Sequence, residues 1–170
     1  MRDIRIEKVV LNIGCGTTLK IENAQKILEN ISQRKVVITK TKKRSTFGVP
    51  KAKEIGCKVT IRKSPETILK KLLEAKDNKL NTKNFDETGN FSFGIPEYID
   101  IPGIDYDPKI GIIGFDVCVT LTRPGYRIKK KRLSTKIGKN HTIKKEEAID
   151  FVKNKFRVEI ETTKVIHDEK

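Results

Sequence analysis

Lysine and arginine are the side chains through which this 170-residue chain can do chemistry, and the chemistry they offer is neutralisation of phosphate. Residues 40–63 carry nine basic side chains against one acid, Glu54, and residues 123–145 carry ten basic side chains and no acid. The other 123 residues sum to −3, so the formal charge of +15 resides in two segments. Crowded cations repel one another until phosphates or counterions neutralise them, and phosphate neutralisation releases ions condensed on a nucleic acid. A polyanionic partner is the first expectation. In the first segment Lys42, Lys43, Arg44, Lys51 and Lys53 are interleaved with the hydroxyls of Ser45 and Thr46 and the ring of Phe47. In the second, Arg123, Arg127, Lys129, Lys130, Lys131 and Arg132 are candidates for general contacts to phosphate. A polybasic run can also meet an anionic membrane surface, but no amphipathic helix or lipidation motif accompanies this one.

Other chemistries find little support. Cys15, Cys57 and Cys118 are scattered and odd in number, which suits small buried hydrophobes in a reducing cytoplasm better than a disulfide or metal framework. His141 and His167 lack metal-ligand spacing, so neither a metal nor another cofactor is expected. Gly14-Cys15-Gly16 reads as a tight turn, since the third glycine and the Lys-Ser/Thr pair of a phosphate loop are missing. Asp100, Asp105 and Asp107 stand in a Pro/Gly-rich stretch where short carboxylates form turns, and no catalytic constellation is found. With no Trp and 6% aromatics, a broad base-stacking platform is not the main device.

These cations must be positioned by secondary structure. Alternation predicts a strand over residues 5–13, a second over 36–41 and a third over 57–62. Apolar spacing predicts an amphipathic helix over 22–31. Residues 42–56 lose periodicity and read as a long basic loop between the second and third strands. Ser64 is expected to cap a helix that opens with Pro65 and Glu66 and buries Ile68, Leu69, Leu72 and Leu73. Residues 76–90 read as irregular, 91–95 and 98–101 as short alternating pieces, 112–122 as a long strand and 146–156 as a helix. The expected fold is α+β: a single domain over 1–160 with helices packed on a mainly antiparallel sheet, followed by a polar tail, 161–170. If the first three strands pair, Lys8, Asn12, Thr60 and Arg62 can share a sheet surface, joined by Gln33 where the second strand opens. Amides and hydroxyls there could bond RNA bases and 2′-hydroxyls, while lysines fix position; an ordinary solvated face would carry the same residues.

Linked motifs add a family resemblance. Residues 6–14 (IEKVVLNIG), 39–43 (TKTKK), 55–62 (IGCKVTIR) and 93–95 (FGI), continuing through 99–103 (IDIPG), resemble the large-subunit ribosomal protein family that holds 5S rRNA, universal large-subunit protein five. Residues 106–117 and the run Arg123-Pro124-Gly125-Tyr126 resemble its archaeal and eukaryotic branch. The likeness runs in order over about residues 2–160. It implies a structural, non-enzymatic ribosomal protein that binds 5S rRNA through positions matching Lys8, Asn12, Gln33 and Thr60, with Arg62 nearby. It assigns loop 42–55 to tRNA in the P site. The implied setting is the central protuberance, beside large-subunit rRNA and universal large-subunit protein eighteen, near the small-subunit head, in cytoplasmic ribosomes. Ile31-Ser32-Gln33 replaces a usual Thr-Gly-Gln, and Lys144 replaces the usual Ser/Thr before the last helix. An RNA-processing or RNA-modifying enzyme is the alternative from another class, and a nucleic-acid-binding regulator outside the ribosome is a third.

Overall fold

The computed structural model describes residues 1–16, 19–44 and 48–161. Alternating side chains produce β1 (Arg5–Gly14), in which Val9, Leu11 and Ile13 are buried. Next come α1 (Ile21–Ser32), β2 (Val37–Lys40), β3 (Glu54–Ile61) and α2 (Pro65–Glu74). The chain continues through β4 (Lys79–Asn81), β5 (Phe91–Ile95), β6 (Phe115–Thr122), α3 (Lys145–Phe156) and β7 (Glu159–Glu161). Five strands form one sheet in the order β2-β3-β1-β6-β5, with every neighbouring pair antiparallel. The fold is therefore α+β, as expected.

Register sorts the side chains. Val9 stands opposite Ile61 and Val119, and Leu11 opposite Val59 and Val117, so one face of the sheet is continuous hydrocarbon. Ala24, Ile27 and Leu28 of α1 and Leu69, Leu72 and Leu73 of α2 join it in one core cluster that extends to Val158. Burying a Leu, Ile or Val side chain completely contributes about 1.5–3 kcal/mol, so this shared cluster is the main source of stability. Because the strand period is two, the same register sends Lys58, Asn12, Asp116 and Gly94 in one row to the opposite face. Thr60, Val10, Cys118 and Ser92 form the next row. Lys58, Ser92, Gly94, Asp116 and Cys118 are exposed, and this second face is an open one.

Several expectations change. β2 is shorter than predicted, and Gln33 does not open it: Gln33 ends α1 in the left-handed conformation (φ 50), its N–H donating to the Glu29 carbonyl at 2.7 Å. β3 begins three residues early because Thr41 continues the pairing beyond β2: its N–H donates to the Lys53 carbonyl and its carbonyl accepts from Ala52 N–H. The predicted irregular loop is thus the end of a hairpin. Ser64 makes no side-chain cap and itself lies at φ 51, leaving Pro65 and Glu66 to start α2. Residues 76–90 are not structureless: β4 pairs in parallel with β7, and Asp86 accepts from Thr88 and Asn90 in a closed turn. Residues 98–101 form a single 3-10 turn, Tyr98–Asp100, rather than a strand. β6 starts at Phe115 instead of 112, because Gly114 lies against the Pro96 backbone, where a Cβ would come within 2.6 Å of its carbonyl oxygen. Most of the predicted tail, 162–170, lies outside the described residues.

Candidate nucleic-acid interface

Three of the predicted positions meet on the open face. Asn12 of β1 lies one row from Thr60 of β3, and Lys8 of β1 faces Thr120 of β6 at the far end of the strand pair. Arg62 is exposed as the chain leaves β3 at that same end. Lys58 belongs with them although it was not among the expected residues: it stands directly opposite Asn12 and is exposed. The signal for it was present, since residues 58, 60 and 62 share one face of a strand. A concavity on this face is lined by Val10, Asn12, Ser92 and Asp116, with Lys83 and Asn84 at its rim. Amide, hydroxyl, ammonium and carboxylate groups are thus mixed over a floor of packed strand.

Gln33 is not brought onto that face. It lies in the helix layer, exposed, lining a groove with Thr67 and Lys71 of α2 and with Ile101–Ile104. The neighbouring Arg34 reaches the Lys63 carbonyl with its guanidinium at 2.9 Å, which ties this corner to the end of β3 where Arg62 emerges. Gln33 and Arg62 therefore share an end of the molecule and occupy different layers of it.

The hairpin tip of the first cationic segment and the whole of the second sit at opposite ends of the sheet, while Lys58 and Arg62 of the first run along β3 to the far end. The hairpin tip rises beyond Gly14 and Gly56, on a stem closed by Thr41, whose hydroxyl donates to the Pro50 carbonyl at 2.7 Å and accepts from Lys53 N–H at 3.0 Å. Lys40 pairs with Glu54 at 3.1 Å below it. Above the stem Lys42, Lys43, Arg44, Lys51 and Lys53 are exposed, and none has an ion pair among the described residues. Ser45, Thr46 and Phe47 lie outside the described residues. The second segment leaves β6 after Thr122, which pairs with Arg5 at the other end. Eight residues of β3 span the distance between the two ends, about 23 Å at the usual strand rise.

Within the second segment, Arg127, Lys129, Lys131 and Arg132 are exposed, and Lys130 is paired with Glu7 of β1. Arg123 departs from expectation. Its side chain is only 5% exposed; its guanidinium meets Glu147 at 2.9 Å and donates to the His141 carbonyl at 3.2 Å. A group so enclosed is spent inside the protein and is not offered to an outside phosphate. The same carbonyl accepts from the Tyr126 hydroxyl at 3.1 Å, and that hydroxyl accepts from Ile143 N–H at 3.0 Å. His141 Nε2 lies 2.9 Å from the Pro124 carbonyl and donates to it, a carbonyl being able only to accept. Glu147 also accepts from Lys144 N–H at 3.0 Å, replacing the missing Ser/Thr cap of α3 from within the helix. That backbone bond, and after it the Arg123 guanidinium, hold the Glu147 carboxyl below the usual carboxylate range.

Among the described residues no group of three or more His, Cys, Asp or Glu side chains could hold a metal, and no helix is long and apolar enough to cross a membrane. Burial first, then the nearby Cys15, pushes the Cys57 thiol up to about 11, so it is an inert core group.

Comparison with known proteins shows the family. Residues 1–49 match the family described as ribosomal protein L5, and residues 54–151 match the C-terminus of that same ribosomal family. The large ribosomal subunit protein uL5 of Cenarchaeum symbiosum is 47% identical over 164 residues, covering 94% of this chain and 97% of its own length. That of Sulfurisphaera tokodaii is 45% identical over 165 residues, covering 94% and 93%. That of Methanococcoides burtonii is 42% identical over 165 residues, covering 95% and 98%. The chain belongs to the ribosomal protein L5 family, a structural, non-enzymatic and RNA-binding family of the large ribosomal subunit.

Proposed function

We propose that the chain binds 5S rRNA in the central protuberance through its open sheet face and the Gln33 corner, and touches P-site tRNA through the hairpin tip. The observation that carries the reading is the open face itself. Among the described residues no α-helix covers the second side of the five-stranded sheet, which carries Lys8, Asn12, Lys58 and Thr60, beside Arg62. Side-chain amides and hydroxyls there can bond base edges and 2′-hydroxyls, while the ammonium groups hold the backbone. Belonging to a large-subunit ribosomal family supports RNA as the occupant. Residues 42–55 are suited to tRNA because Lys42, Lys43, Arg44, Lys51 and Lys53 are exposed beyond a closed stem and unpaired among the described residues. In the assembled, cytoplasmic ribosome the neighbours would be large-subunit rRNA, universal large-subunit protein eighteen and the small-subunit head.

Footprinting of 5S rRNA with wild type and Asn12→Ala tests the reading. A discrete protected region that loses protection in the variant is expected. Protection that is unchanged, or lost equally on unrelated RNA, would count against the open face as reader.

A further inference from the structure

The second cationic segment is a closed loop, not a tail of charges. Its ends, Tyr126 and His141, are joined by the Tyr126 hydroxyl, and their rings meet edge to face with centroids 5.6 Å apart. A 3-10 turn forms at each end, Tyr126–Lys130 and Lys139–His141. Thr135 N–H donates across the loop to the Ile128 carbonyl at 3.4 Å. Residues 127–140 hold seven basic side chains, no acid and no aromatic ring. Of the seven, Lys130 alone is ion-paired among the described residues. Like charges would spread such a loop apart if its ends were free. Beneath it the buried Arg123 bridges the His141 carbonyl to Glu147, so the start of the loop, its finish and the first turn of α3 are fastened to one guanidinium.

We propose that residues 127–140 are a second RNA site, separate from the open face, that takes the phosphate backbone of duplex RNA. Arg123, Tyr126, His141 and Glu147 are its positioning residues and touch no RNA themselves. The inference rests on the RNA-binding reading above and gives this end of the molecule its own ligand. Without rings to stack on bases, the loop reads charge spacing, which a duplex presents at fixed intervals. A loop already held in shape loses less freedom on binding than a flexible polycation does.

The experiment uses the full chain, an RNA duplex of about 20 base pairs with arbitrary sequence, and 5S rRNA as the second ligand. Lys129→Ala/Lys131→Ala/Arg132→Ala removes the contacts, and the slope of log affinity against log salt for the duplex should fall by about 2 to 3, at ~0.9 per phosphate. Tyr126→Phe keeps every charge and removes both hydroxyl bonds. It should speed tryptic cleavage within residues 127–140 of the native protein. It should also weaken duplex binding about five- to tenfold with the salt slope unchanged, a pattern that loss of contacts would not give. An unchanged slope in the triple variant, with 5S rRNA still bound, overturns the second site alone. Wild-type duplex affinity in Tyr126→Phe despite faster cleavage overturns the positioning role. Failure of wild type to bind either RNA overturns the RNA-binding reading beneath both.

Discussion

Consider the hairpin with Lys42, Lys43, Arg44, Lys51 and Lys53 all changed to Ala. If these five cations held 5S rRNA phosphates, the salt slope for 5S binding would drop by about 4.5, at ~0.9 per contact. Between about 50 and 200 mM salt that difference alone amounts to roughly 500-fold in affinity. The structure argues for a far smaller effect. Lys53 at the base of the tip is five residues along the strand from Lys58, about 16 Å, and seven from Thr60, about 23 Å; the Debye length is ~8 Å at physiological ionic strength, so the tip acts only weakly on the face through space. All five side chains are exposed, so the variant should remain folded. Filter binding to 5S rRNA across that salt range should show a slope changed by less than about 1. In subunits reconstituted with the variant, retention of P-site tRNA should fall. A 5S slope lower by about 3 or more, with tRNA retention intact, would refute the separation of tasks between tip and face.

Asn12→Ala and Lys58→Ala should each weaken 5S rRNA binding about fivefold, the worth of one net hydrogen bond, and leave unrelated RNA less affected in competition assays; equal losses would refute the assignment. Gln33→Ala should alter a footprint distinct from that of Asn12→Ala, because the two residues lie in different layers; coincident footprints would contradict that. Gly56→Ala would place a Cβ 2.4 Å from the Ile13 carbonyl oxygen between two paired strands, so it should lower stability by about 1–3 kcal/mol in urea titration, and an unchanged midpoint would be evidence against the close approach. Glu147 has a lowered pKa, so its contribution to stability is complete above its unfolded value of about 4.3 and is lost as pH falls through the lower folded value. Glu147→Gln should flatten that acid limb in thermal melts, and an identical limb would show that the Arg123 pair is not its source.

The parts of the fold written in short-range pattern were legible. The alternation of Val9, Leu11 and Ile13, and of Phe115, Val117, Val119 and Leu121, announces which side of each strand is dry. Thr60 and Asn12 follow from the same parity, and so does Lys58. Long-range pairing was not legible. Lys79–Asn81 and Glu159–Glu161 are three residues each, too short to carry a pattern, and become strands only by finding one another. Gln33 looked like the start of a strand because a helix can end in the left-handed region on a polar side chain as well as on glycine. Arg123 was misjudged by residue type: its partner Glu147 is twenty-four residues away, and no spacing links them. The division of charge into two segments was visible, but the placement of the hairpin tip and the second segment at opposite ends required the strand order.

That strand order gives the molecule a mechanical property. Every adjacent pair in the five-stranded sheet is hydrogen-bonded, and one side is locked to helices, so the sheet is a beam whose length does not adjust to its load. Two polyanions gripped at its ends would be held apart by the strands, about 23 Å by the rise of β3, whatever their sequences. The chain is in that sense a gauge block. A shift imposed at one end must be met by rigid displacement of the whole beam or by bending of the loops that grip.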